Sequence, residues 1–381
     1  MKKKYIIFSI VTLVLLVALI TSFNYFKTTN TYIDDSFNNQ TKITKGISMN
    51  LEQTAGAGDY KTVTQSGWPT EGYKFNSELS RCENGSEISW DDTKKAVIVS
   101  GNLSDKCYVY FDIYQPTLAE YIKSQYTGNQ GDNALYYHNS TLTNGAGDNS
   151  YRYAGASDSV NNYICLGSDA ATCPDANLFR IIGVFGDQTK VIRAKSVGNQ
   201  KWDTNGSNTW SSSSLNTYLN GEYLTSLGTL AEKIATTTWK VGGGSWANIG
   251  TSVPKTAYQY EVGSSASTTT YDAKIGLMYV TDYYYSASPS AWTLVGYNKS
   301  DATKDYRAAK TTNWLYLGSY EWTISRRSDG TGFAFLVFST GYVYYNGVTR
   351  SVGVRPSFNL LSSTTYVSGS GSMSDPVRVT D

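Results

Sequence analysis

The stretch from Tyr5 to Phe26 carries no charged residue, with Ile6–Ile20 almost continuously aliphatic. Lys2, Lys3 and Lys4 precede it and Lys27 closes it. A helix of about 20 apolar residues spans a hydrocarbon core of about 30 Å. Lysines before the run favour an inside N-terminus. The sequence therefore predicts a single-pass transmembrane helix, with residues 1–27 as the anchor and the membrane contacted through residues 5–26. The polar stretch 28–44 then reads as a stalk, and residues 28–381 lie outside the cell. A cleaved signal peptide is the rival reading. It lacks a clear small-x-small site, because Ala18 and Ser22 are misplaced for one. Both readings export the remainder of the chain, and no second long apolar run follows.

The cysteines agree with export. Cys82, Cys107, Cys165 and Cys173 are an even set, which in an oxidising compartment points to two disulfides. Three pairings exist. The neighbouring pairs, Cys82–Cys107 and Cys165–Cys173, are simplest because each stays within one folded unit. No CxxC spacing supports zinc.

Charge excludes some function classes. The 32 Lys+Arg residues nearly cancel the 31 Asp+Glu residues, for a net charge of +1. A nucleic-acid partner would call for a basic excess. The single histidine, His138, sits in the loop YYHNS and reads as solvated rather than catalytic. Tyrosine is over-used, at 32 residues beside 9 tryptophans.

Two units are expected after the stalk. Residues 45–115 show short alternating strands, including Ile47–Leu51, Ile88–Trp90, Ala96–Ser100 and CYVYFDI from Cys107 to Ile113. These predict a small antiparallel β-sandwich. Residues 116–381 predict a larger mixed α+β domain. Its elements include a hairpin of Leu178–Val184 and Lys190–Ala194 around Gly186-Asp187-Gln188. Trp210–Leu230 has helical spacing, with Ser213 as its cap. Ile275–Val280 reads as a buried strand. Phe333–Phe338 and Tyr342–Tyr345 form a meander, and a strand runs over Val354–Leu361.

Several segments together resemble a known group. They are Cys82–Phe111 (CENGSEISWDD…KCYVYF), Gly145–Ala156 (GAGDNSYRYAGA), Asn161–Phe185, Trp210–Asn220, Lys274–Trp292, Glu321–Ser328 and Gly353–Leu360. As a set they resemble an uncharacterised family of membrane-anchored surface proteins of Gram-positive gut bacteria. The C-terminal part is similar to C-type-lectin-like folds, including those of formylglycine-generating-enzyme relatives and of surface proteins diversified by retroelements. The resemblance implies location and architecture and no activity. Formylglycine-type chemistry needs reactive cysteines, and here all four read as bridged.

Candidate ligand-binding residues are aromatic. Tyr283, Tyr284, Tyr285, Trp292, Tyr342, Tyr344 and Tyr345 read as a loop-borne surface. Tyrosine and tryptophan offer large rigid contact area with a polar tip. The alternative reading packs Tyr342 and Tyr344 on one sheet face and leaves Tyr345 on the other. Arg326 and Arg327 should face opposite sides of a strand. Arg327 would then be free to meet an acidic sugar, while Arg326 and Arg355 tie loops to the sheet. Asp203 and Asn205, in WDTNGSN, are a weak calcium candidate against an Asx-turn reading. No other cofactor is implied. No pair of carboxylates can be assigned as glycosidase groups, so no enzyme is expected. The function this predicts is cell-surface binding or adhesion, with an extracellular carbohydrate or protein as ligand. The alternatives are a structural subunit of a surface assembly and an envelope carbohydrate-active enzyme.

Overall fold

A computed structural model describes residues 46–64, 67–69, 72–102 and 104–380. The expected anchor (1–27) and stalk (28–44) lie outside the described residues. Among the described residues, no helix is long and apolar enough to cross a membrane. The chain divides into two units, one ending at Gln115 and one beginning at Pro116.

The first unit is built on the alternation of CYVYFDI. Its strands are β1 (Ile47–Glu52), β2 (Tyr60–Val63), β3 (Tyr73–Phe75), β4 (Arg81–Cys82), β5 (Glu87–Asp91), β6 (Ala96–Ser100) and β7 (Cys107–Ile113). One sheet has the order β2-β1-β7-β3, with β4 also on β7, and β5 and β6 form a separate hairpin. Cys107, Val109 and Phe111 are buried while Tyr108 and Tyr110 are not, as period-two geometry requires. Met49, Leu51, Val97, Val109 and Phe111 make the core, with Trp90 of the hairpin packed against it. Burying side chains of this size stabilises by about 1.5–3 kcal/mol each. The purely antiparallel expectation is corrected at one place. β1 and β7 are parallel, with Ile47 opposite Cys107 and Leu51 opposite Phe111. Parallel neighbours need a long crossover, and here the whole run from β2 to β6 supplies it. Cys82 and Cys107 are direct partners across β4 and β7 and form a disulfide.

The second unit is mixed α+β. The helix α1 (Leu118–Ser124) opens it with a capping box, Thr117 accepting from Glu120 N and Glu120 from Thr117 N. Its first sheet comprises β8 (Leu135–Tyr137), β9 (Tyr151–Tyr153), β10 (Tyr163–Cys165), β11 (Leu178–Phe185), β12 (Gln188–Arg193) and a late strand, Ser357–Asn359. β11 and β12 are the expected hairpin. The helix α2 (Ser214–Tyr218) continues through a π-type turn, Leu219–Tyr223. Ser213 caps it by accepting from Asn216 N at 3.1 Å.

A pair of strands, β13 (Thr237–Lys240) and β14 (Thr270–Ala273), flanks α3 (Pro254–Glu261). Then comes α4 (Val280–Tyr285). The expected strand over Ile275–Val280 is buried but makes only one bridge, Gly276 to Ser357, before the helix begins. The second large sheet contains β15 (Glu321–Arg326), β16 (Phe333–Val337), β17 (Val343–Gly347) and the strand Ser351–Gly353. Glu321 and Arg355 are an ion pair in the core, both nearly inaccessible. Cys165 and Cys173 form the second disulfide. The last strands return to the start of the unit: Leu118 N donates to Thr364 O at 2.7 Å, and the Tyr121 and Tyr366 rings stack at 3.6 Å.

Candidate functional site

The tyrosines singled out in the sequence separate into two groups. Tyr283, Tyr284 and Tyr285 lie on α4 and are fully buried, as is Trp292. The expectation that these four form a binding surface is therefore corrected. Three consecutive helical positions point about 100° apart, so a buried triplet means that this helix is enclosed on nearly all sides. Each hydroxyl donates to a backbone carbonyl: Tyr283 to Gly341 at 2.7 Å, Tyr284 to Ile249 at 2.8 Å and Tyr285 to Asn144 at 3.3 Å. The Trp292 indole donates to Ala287 O at 2.9 Å. A tyrosine with a satisfied hydroxyl can serve as a core residue.

His138 is also corrected. It is inaccessible, with its ring packed on Tyr285 and Trp292 at 4.8 and 5.2 Å. Its Nδ1 accepts from Ala146 N at 3.1 Å. Burial, with the charge of Arg152 behind it, drives its pKa well below the ordinary histidine value.

Tyr342, Tyr344 and Tyr345 remain half-exposed. They form a line of rings along β17. Phe338 stacks on Tyr342 at 4.5 Å, Tyr342 meets Tyr344 at 6.1 Å, Tyr344 stacks on Tyr345 at 4.6 Å, and Tyr345 meets Phe333 at 5.4 Å. The stacking of neighbours Tyr344 and Tyr345, only 13° from parallel, overrides the two-face alternation expected of a strand. Tyr297 and Trp246 buttress the line at 5.1 and 5.0 Å from Tyr344. Gly243 lets the chain before Trp246 lie against β15. Its φ is +60°, and a Cβ there would fall 1.9 Å from Arg326 O.

Two guanidinium groups flank the line. Arg327 lies 4.1 Å from the Tyr345 ring and Arg307 lies 5.2 Å from the Tyr342 ring. Each is held by its own aspartate: Arg327 by Asp329 at 2.8 Å, and Arg307 by both oxygens of Asp305. Arg327 is thus neutralised locally. Arg326 donates to Gly242 O, and Arg355 pairs with Glu321 and donates to Leu315 O.

Asp203 is buried. Its oxygens accept from the backbone amides of Asn205 at 3.0 Å, Ser207 at 2.9 Å and Ser214 at 3.2 Å. Those bonds make Asp203 and Asn205 an Asx-type turn, the alternative to the calcium candidate. No cluster of acidic, histidine or cysteine ligands occurs among the described residues.

A second feature was not anticipated. A cavity of about 230 Å³ is lined by Asp148, Arg152, Phe185, Lys190, Trp239, Tyr258, Tyr279, Asp282 and Asn359, among others. A chain of alternating charges forms one side: Lys190 to Asp282 at 2.6 Å, Asp282 to Arg152 at 3.6 Å, and Arg152 to Asp148 at 2.7 Å. Tyr258 donates its hydroxyl to Asp148 at 2.9 Å. Burial alone would raise the Asp148 carboxyl, but Arg152 and Ser150 hold it below the ordinary carboxylate range. Burial lowers the Lys190 ammonium despite Asp282. The Lys190 Nζ also lies 4.5 Å from the Tyr279 ring and 5.2 Å from the Trp239 ring. The one sequence signal for this cluster is an aspartate inside the run YVTDYYY, since a charge among aromatics needs a buried partner.

No protein-family model, curated protein or solved structure matches the chain.

Proposed function

We propose that this protein is a binding module of the cell exterior whose ligand is a carbohydrate chain laid along the ring line of β17. The single observation that carries this reading is the row Phe338, Tyr342, Tyr344, Tyr345 and Phe333, half-exposed and flanked by Arg307 and Arg327. Successive half-exposed rings along the strand offer apolar surface to successive sugar rings, whose C–H faces are apolar. Phenolic and guanidinium groups at the edges match the hydroxyls. Such contacts are sequence-tolerant in the way that any repeated flat unit permits.

The two disulfides are consistent with an extracellular location. The anchor at residues 5–26, with its N-terminus inside, belongs to the same proposal. So does the C-type-lectin-like character of the second unit, which rests on the sequence segments that resemble such domains.

The test is binding of the full chain, kept in mild detergent because of its apolar N-terminal run, to an immobilised glycan array. Binding should be unchanged by EDTA and fall at least tenfold when Tyr342 and Tyr344 are both replaced by Ala. A folded protein that ignores every glycan, or binds only immobilised proteins, would overturn the carbohydrate reading.

A further inference from the structure

We propose that the cavity beside Asp282 is a second binding site, separate from the ring line, and that it takes one uncharged, hydroxyl-rich ring such as a single neutral sugar residue. No lining residue is shared with the β17 ring line, so loss of binding at one site leaves the other intact.

Six segments build the site, among them β13 with Trp239 and Lys240 and α3 with Tyr258. Asp148 and Arg152 come from the loop before β9 and from β9 itself. Lys190 comes from β12, and Tyr279 and Asp282 from the start of α4. Asn359 comes from the strand beside β12. A structural ion cluster needs no void, but this one borders a cavity, and one polar group at the border is incomplete. Asn359 is more than nine-tenths buried. Its Nδ2 donates to Thr237 Oγ1 at 2.9 Å, yet its Oδ1 is buried without a hydrogen-bond partner. A buried acceptor left unpaired is costly. A small shift that opened this oxygen to the cavity would let an arriving hydroxyl or amide N–H complete it.

Charge decides the class of ligand. Arg152 and Lys190 are matched by Asp148 and Asp282. Lys240 lies at the margin, half-buried and outside these pairs. The charges in the interior of the cavity thus cancel in pairs and select neither an anion nor a cation. Polar atoms with capacity to spare remain: Lys240, whose ammonium donates to Gly263 O, and the Tyr279 hydroxyl, which accepts from Lys240 N at 2.9 Å and keeps its own proton to donate. Phe185, Tyr258, Tyr279 and Trp239 supply aromatic surface around them. Aromatic walls with a few converging donors and one waiting acceptor suit a ring with an apolar face and a polar edge. The volume of about 230 Å³ admits one such ring rather than an oligomer.

The experiment is saturation-transfer NMR and tryptophan fluorescence on the full chain in mild detergent. The probes are glucose, galactose, mannose and N-acetylglucosamine at millimolar concentration, with glucuronate and glycine as charged comparisons. At least one neutral sugar should show saturation transfer, and glucuronate and glycine should not. Asn359→Leu should weaken the response at least tenfold. The Tyr342/Tyr344 double alanine variant should leave it unchanged. Because Asn359 is buried, a second variant guards the test. Thr238→Trp places a bulky group at an exposed lining position, which should block entry without disturbing the core. No response to any neutral sugar would overturn the proposal. So would a preference for the charged probes, or a response that survives Thr238→Trp in a folded protein.

Discussion

Two runs of tyrosine in this protein look alike in sequence and do opposite things. Tyr283–Tyr285 lie in a helix, are inaccessible, and each spend their hydroxyl on a backbone carbonyl. Tyr342, Tyr344 and Tyr345 lie on or next to a strand of a sheet and keep part of each ring in solvent, stacked on one another rather than sunk in the core. Tyrosine is amphipathic, and the element that carries it decides which half of its chemistry is used. A helix surrounded by packed elements buries every direction it points. A strand at a sheet margin leaves part of each ring in solvent.

The sharpest way to break this contrast is to delete a ring from each run. Tyr284→Ala removes a fully buried ring and its bond to Ile249 O, and should cost about 3–5 kcal/mol of unfolding free energy in a denaturant titration. A loss below about 1 kcal/mol would mean that α4 is not enclosed as described. Tyr283→Phe keeps the ring and leaves Gly341 O without its donor. It should cost about 1–3 kcal/mol, separating hydrogen bond from packing in the same run.

The histidine beneath Tyr285 adds a pH signature to the buried side. Its folded pKa lies below the unfolded value. Between those two values the unfolded chain therefore binds the proton that the native state refuses. Stability contributed by neutral His138 is present above about pH 6.5 and is lost as pH falls, at up to about 1.4 kcal/mol per pH unit. Asn at position 138 can still accept from Ala146 N and does not titrate. The difference between wild type and His138→Asn should thus shrink on acidification below pH 6.5. Burial raises the carboxyls of Glu261 and Glu321, which acts with the opposite sign but is common to both proteins and cancels. A pH-independent difference would place His138 in solvent. The smallest effect belongs to the exposed run. Tyr344→Ala should change stability by no more than about 1 kcal/mol while abolishing ring-line binding, and a core-sized loss would show that the line is packing and not a surface.

Local chemistry was legible from the sequence and long-range company was not. Cysteines next to each other in order, 25 and 8 positions apart, the Gly186 turn between two apolar runs, and Ser213 before a leucine period each act within one short stretch of chain. All three appear as expected. The parallel pairing of β1 with β7 joins residues some 60 positions apart, and nothing in either strand marks its direction. Tyr283–Tyr285 carry no period that separates a helix from a loop. His138 lies in an Asn- and Gly-rich stretch that would be a solvated loop, had Tyr285 and Trp292 not closed over it. The polar cavity is the extreme case. Asp148 and Arg152 stand only four residues apart, but Lys190 and Asp282 meet across 92 positions.

In both units the earliest and latest of the described segments are partners. β1 borders β7, and α1 receives the segment around Thr364 to Tyr366, with Val377 bridging Ile164. Neither unit can close while its own last stretch is still missing. A chain delivered from its N-terminus onward would carry the second unit open until nearly its final residues emerged. Until then, the groups that meet that last stretch, the Leu118 amide and the Tyr121 ring among them, would lack their partners.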